Sequence, residues 1–275
     1  MKVLISVDIE GVAGVVHPKQ TRPGNAEYER ARRWMAAEAN AAAAGAFAGG
    51  AETVWIADAH GGFRNMAADD MDSRAVLVSG KPRADGMLAS VIEEADALVL
   101  VGYHSKAGGQ GVLAHTINGF AFADIAVNGV SLGEAGLYGL LAGELGVPLV
   151  FASGDQHFIA ENRAFFPDVH WLQSKTALGD YAAANLSPAA LCDALQRGVE
   201  AAVRAAVRKK PALFVMDAPY RCTVRANNPA LADLFALLPD SERVDGTTVA
   251  FTETSMRRVM RVLNLFSAAS AALRG

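Results

Sequence analysis

Cysteine is nearly absent, with only Cys192 and Cys222 in a chain of 275 residues. They fall on different predicted elements, which excludes a disulfide framework and a thiolate metal cluster, so any bound metal needs oxygen and nitrogen ligands. Cys192 occupies an apolar position in a predicted helix and reads as packing, while Cys222 beside Arg221 has no partnered histidine to make it a nucleophile. Long apolar runs are missing too. No stretch approaches about 18 uninterrupted apolar residues, and the first strand begins after a single lysine, without a signal peptide's basic region or cleavage site. A cytoplasmic protein with no membrane partner is expected. Charge of one sign is not in excess: the formal net charge of -4 and the lack of like-charge runs give no electrostatic case for nucleic acid. Repeats, low-complexity tracts and clear linkers are absent, and the weakest place is Lys209-Lys210-Pro211, where a C-terminal lobe could begin.

What the chain has is apolar strands that end in polar chemistry. Residues 1–14, MKVLISVDIEGVAG, read as a buried strand ending in Asp8 and Glu10, two apart and therefore able to share a face while Ile9 packs opposite. Like charges crowded at a buried strand end repel and lose hydration, and a bound cation is the common remedy. Gly11 is expected to let the chain turn away and leave that end open. ETVWIAD, residues 52–58, runs into Ala59-His60-Gly61-Gly62, and the strand at 97–101 ends in Gly102-Tyr103-His104.

Between and beyond these strands the spacing predicts helices over 26–48, capped by Asn25, near 86–94, over 131–146, from Ser187-Pro188 to 208 and over 255–273. Further strands are predicted at 75–79, 121–127, 147–153, 212–217 and 247–252, with Asn128-Gly129 as a type I′ hairpin turn. This alternation predicts one α/β domain over residues 1–275: a three-layer arrangement with a mostly parallel sheet, helices on both faces, and room for a smaller C-terminal lobe after 209–211. In such a sheet ligands sit beyond the carboxyl ends of the strands. Three polar strand ends would converge there, and carboxylates with imidazoles suit Zn²⁺, with Mn²⁺ or Co²⁺ possible by the same chemistry. Each residue also has a plainer reading, the acids as solvated loop residues and the histidines as capped turn residues. Asp58 reads either as a support for His60 or as a turn cap, Asp155 as a helix cap, and Lys106 in the glycine loop as solvated or as a contact for a substrate carboxylate.

The segments SVDIEGVAG, YERARRWMAAEANAAAAGAF, DAHGG, GYHSKAG, LAHTI, NGVSLGEAGL, VPLVFASGD and TALG follow one another through residues 1–180 and resemble the M55 family of zinc-dependent D-aminopeptidases. The likeness is looser afterwards, resting on the helix after Ser187-Pro188 and on GTTVAF. It implies metal ligands at Asp8, Glu10, His60, His104 and Glu134, two zinc ions per subunit, and a catalytic histidine at His115. It also implies a homo-oligomer, a ring of ten subunits in the family. With three ionised carboxylates and two neutral imidazoles, a pair of divalent ions keeps one positive charge that favours hydroxide as nucleophile, and five ligands for two ions require a bridging carboxylate, Asp8 or Glu134. The expected substrate is a short peptide with a free amino terminus. Hydrolysis of another amide or a phosphate ester, or metal binding without catalysis, are the rival readings. His17, His157 and His170 match no motif.

Overall fold

Two sheets share the chain. The computed structural model describes residues 1–274. In chain order the elements are β1 (Lys2–Val7), α1 (Ala26–Ala48), β2 (Thr53–Asp58), β3 (Val76–Val78), β4 (Ala97–Val101), β5 (Phe122–Val127), β6 (Val130–Ser131), α2 (Glu134–Glu144) and β7 (Leu149–Asp155). They continue with α3 (Gln156–Asn162), β8 (His170–Gly179), β9 (Ala182–Asn185), α4 (Pro188–Arg208), β10 (Tyr220–Ala226), α5 (Pro229–Phe235), β11 (Glu242–Arg243), β12 (Thr248–Glu253) and α6 (Met256–Ala269).

The larger sheet has the order β3-β2-β1-β4-β7-β8-β9, parallel throughout except for β9 at its edge. Its central strands are buried on both faces, which is why they read as continuous apolar runs. Val3, Ile5, Val54, Ile56 and Val99 pack beneath α1 and α4, whereas Leu4, Trp55, Leu98 and Leu100 join a second core with α2, α6 and the smaller sheet. The alanine-rich face of α1 lets α4 come close: a Cβ added to Gly45 would lie 2.3 Å from the Gln196 carbonyl oxygen. Asn25 caps α1 by accepting from the Glu27 and Tyr28 amides, and Ser187 caps α4 ahead of Pro188, as their side chains require.

The smaller sheet is antiparallel, β11-β12-β10-β5-β6. It draws β5 and β6 from the middle of the chain as well as strands from the C-terminal third, and the chain passes from the first sheet to the second after α4. Asn128 and Gly129 both adopt positive φ, +49° and +83°, in the β5–β6 turn.

Several elements differ from the sequence expectation. Residues 86–94 form two 3₁₀ turns, 86–88 and 90–94, separated by Ala89 at φ +54°. The helix expected over 131–146 starts at Glu134 because Val130 and Ser131 pair with β5. Residues 212–217 pair with no strand; the Phe214 carbonyl instead lies where a Cβ on Gly143 would be, 1.9 Å away. The β8–β9 hairpin and β10 have no counterpart in the expectation. Because Gly45 faces backbone, Gly45→Val is expected to lower stability by about 1–3 kcal/mol. Urea unfolding checks it, and an unchanged midpoint would contradict close α1–α4 packing.

Candidate metal centre

Strand order alone brings the first ligands together. β1 lies between β2 and β4, all parallel, so Asp8, His60 and His104 leave the same sheet edge. Asp8 is still pinned to the sheet by its amide, 2.9 Å from the Val101 carbonyl, and the Gly11 amide reaches the Gly102 carbonyl at 2.8 Å. Here Gly11 is needed for close approach rather than for turning away: an added Cβ would sit 2.0 Å from the Tyr103 carbonyl oxygen. Glu134 arrives from the other direction, at the first turn of α2, delivered by the excursion through β5 and β6.

Each imidazole has one nitrogen tied to a backbone carbonyl and the other aimed at carboxylates. His60 Nε2 donates to the Thr21 carbonyl at 2.7 Å, leaving Nδ1 3.2 Å from Asp8 Oδ1 and 3.1 Å from Glu10 Oε2. His104 Nδ1 donates to the Ser105 carbonyl at 2.9 Å, leaving Nε2 3.3 Å from Asp8 Oδ2 and 3.4 Å from Glu134 Oε2. His115 Nδ1 donates to the Leu113 carbonyl at 2.9 Å, and its Nε2 is 3.9 Å from Glu134 Oε1. A second nitrogen held by a carbonyl is the usual support of a metal-bound histidine.

Glu10 Oε2, His104 Nε2 and Glu134 Oε2 are buried and lack a properly aligned hydrogen-bond partner. Atoms this close yet unaligned with one another fit ligands directed at a shared ion. Two groups of potential ligand atoms each lie within 4.8 Å of one another, Asp8 with Glu10 and His104, and His104 with His115 and Glu134. The geometry therefore admits His115 as a ligand as well as a proton carrier.

The metal-free electrostatics have the same origin. Burial, reinforced by Glu10, raises the Asp8 carboxyl. For Glu10 burial also acts upward, but the charge of His60 close to its carboxylate outweighs it and the group is held well below the usual range. Burial would lower both imidazoles, yet Glu10 raises His60 and Glu134 raises His104 well above their ordinary value. A divalent cation at these atoms would answer the same concentration of negative charge.

The loop carrying His115 is strained. Leu113 and Ile117 flank it at φ +54° and +60°, a conformation unfavourable for branched side chains. The distortion aims the Leu113 carbonyl at His115 and the Ile117 amide at Glu134 Oε1, 2.6 Å away. Asp155 holds the same loop by accepting from the Val112 amide while also capping α3, and His115 stacks on His104 with centroids 4.2 Å apart.

The remaining candidates fall elsewhere. Asp58 does not support the His60 ring: it accepts from the Asn65 amide and side chain and from the Met66 amide, and Asn65 in turn donates to the His60 carbonyl. Lys106 Nζ donates to Ser131 Oγ at 2.7 Å. His17 caps a short 3₁₀ turn, and His157 and His170 lie outside the ligand groups. Burial pushes the Cys192 thiol up to about 11 and raises that of Cys222 as well, so neither is a thiolate nucleophile. Sequence reasoning missed the carbonyls of Thr21, Leu113 and Ser105, since any residue type supplies one. It also missed Glu38, a lone acid on the buried face of α1 and a readable signal.

The chain matches the family described as Peptidase_M55, D-aminopeptidase, over residues 1–265. It is 29% identical over 248 residues to a D-aminopeptidase of Bacillus subtilis (strain 168), covering 90% of this chain and 89% of that protein. Its fold superposes on the Zn-dependent D-aminopeptidase DppA from Bacillus subtilis, described as a self-compartmentalizing protease, with a TM-score of 0.94 and 26% identity over 100% of this chain and 99% of that one. Chelator-treated protein is expected to gain thermal stability when Zn²⁺, Mn²⁺ or Co²⁺ is added, by about 4 kcal/mol at a thousandfold excess over Kd. Asp8→Ala or His104→Ala should abolish the gain. Melting temperatures insensitive to all three metals would contradict a metal centre.

Proposed function

The chain belongs to the M55 family of D-aminopeptidases, and from that premise we propose that it is a zinc-dependent aminopeptidase releasing the N-terminal residue of short peptides, of D configuration. One observation carries this reading: three buried carboxylates gather around the free nitrogens of His60 and His104, Asp8 facing both, Glu10 facing His60 and Glu134 facing His104, and each imidazole is locked by a backbone carbonyl. Asp8, Glu10, His60, His104 and Glu134 would hold two zinc ions, and Mn²⁺ or Co²⁺ suits the same donors. Asp8 would contribute to both halves of such a site, because Oδ1 faces His60 and Oδ2 faces His104. Zinc supplies Lewis acidity towards the scissile carbonyl and brings the ionisation of water near neutral pH.

The rest falls to the chain's own residues. Burial of the carboxylates keeps bulk water away from them and strengthens the electrostatic interactions they make. His115 is the exposed member of the cluster, its side chain 26% accessible against 1% for His104, which favours a role toward substrate over a role as ligand. With Nδ1–H held by Leu113, Nε2 is the working atom. It carries a proton to the leaving amine, or donates to the developing oxyanion. Its reach toward Glu134, 3.9 Å, keeps that proton beside the carboxylates.

No helix among the described residues is long and apolar enough to cross a membrane, and a cytoplasmic enzyme fits that observation. The self-compartmentalizing relative supports assembly as a homo-oligomer, with ten subunits as the size that the family resemblance implies. Leu178 and Tyr181, 72% and 56% exposed at the tip of the β8–β9 hairpin, offer apolar surface for such an assembly.

Metal-free protein restored with Zn²⁺, Mn²⁺ or Co²⁺ is expected to cleave D-Ala p-nitroanilide and D-Ala dipeptides in preference to their L counterparts. Failure of every metal to restore amide cleavage would defeat the reading. His115→Ala is expected to keep its bound metal and lose about 10²–10⁴ in kcat. Full turnover in that variant would remove His115 from the mechanism.

A further inference from the structure

The segment from Glu10 to Val15 joins β1 to the rest of the chain without sheet pairing, yet half of its backbone polar groups are taken by side chains from elsewhere. Lys175 of β8, only 2% exposed, donates through Nζ to the Glu10 carbonyl at 2.7 Å and to the Val15 carbonyl at 2.5 Å. Its neighbour Ser174 donates to the Gly11 carbonyl at 2.6 Å. Glu38 of α1, fully buried, accepts from the Ala13 amide at 2.9 Å, and Asn185 of β9, beside Lys175 in the sheet, accepts from the Gly14 amide at 2.9 Å. A buried lysine and a buried glutamate are expensive where apolar residues would pack, and both lie against the same six residues. Burial pushes the Lys175 ammonium down to about 8 and the Glu38 carboxyl up to about 8, each charge partly countering the effect on the other.

The geometry points to Lys175, which shares the loop with Glu38, as a positioning residue that fixes the Glu10 backbone and so sets the affinity and coordination of the metal held by Glu10. This rests on the metal reading proposed above. Two donors on one ammonium tie the loop's first residue to its last, so the backbone that carries the Glu10 side chain cannot shift without breaking at least one of them. An apolar residue at 175 could fill the space but would leave the Glu10 and Val15 carbonyls without these donors.

Lys175→Met alone leaves Glu38 unbalanced and lowers the melting temperature. The decisive variant is therefore the double substitution Lys175→Met with Glu38→Gln, which removes both charges and keeps an acceptor for Ala13. In this full-length variant, zinc affinity measured by chelator competition is expected to fall about ten- to hundredfold. The visible absorption of the cobalt-loaded protein is expected to change as Glu10 loosens. Ser174→Ala keeps both charges and is expected to weaken zinc about fivefold, which decides the matter if the double variant does not fold. Wild-type zinc affinity and a wild-type cobalt spectrum in the folded variants would overturn the proposal while leaving the metal centre intact. If the unmodified chain takes up neither zinc nor cobalt, the metal centre and the proposal fall together.

Discussion

Three carboxylates, Asp8, Glu10 and Glu134, are buried at one sheet edge within reach of the same two imidazoles. Unbalanced, that much negative charge out of water would cost several kcal/mol per ion. Much of the surrounding structure responds to it. The backbone carbonyls of Thr21 and Ser105 fix which nitrogen each imidazole presents, and parallel pairing of β2, β1 and β4 holds the first ligands side by side. Against burial, Glu10 raises His60 and Glu134 raises His104 well above their ordinary value. A bound cation would offset the same negative charge.

The smaller sheet explains how an acid more than 120 positions beyond β1 joins the cluster. By leaving the first sheet after β4, the chain forms a loop for His115, a hairpin, and then α2, whose first residue is Glu134. Strain at Leu113 and Ile117 is retained because Asp155, Asp180 and Ser105 bind the loop from outside. Fixed in this way, His115 lies against His104 and still meets solvent, which suits a residue that passes protons rather than one that only binds metal.

The larger sheet was legible in the chain because buried parallel strands read as unbroken apolar runs, and their ends were marked by Asp8, His60 and His104. Helix caps at Asn25, Ser187 and Asp155 and the Asn128-Gly129 turn were legible through local chemistry. Other features were hidden for physical reasons. Strand β10 alternates Tyr220, Cys222 and Val224 with Arg221, Thr223 and Arg225, a weak half-buried pattern whose partners lie far away in sequence. Residues 86–94 carry helical spacing, but Ala89 at positive φ interrupts it for tertiary reasons. His115 and Glu134 entered the site through a family resemblance, since a loop histidine and a helix-start acid carry no signal alone. The carbonyls that orient the imidazoles, and the reach of Lys175 to Glu10, follow from tertiary structure only.

The proposal that Asp8, Glu10, His60, His104 and Glu134 would hold two metal ions is the one on which the functional reading rests. Calorimetric titration of chelator-stripped protein with Zn²⁺ tests it most directly. The account predicts saturation at two zinc ions per chain, with proton release as His60 and His104 give up their protons. Saturation at one ion, or no binding at all, would contradict it.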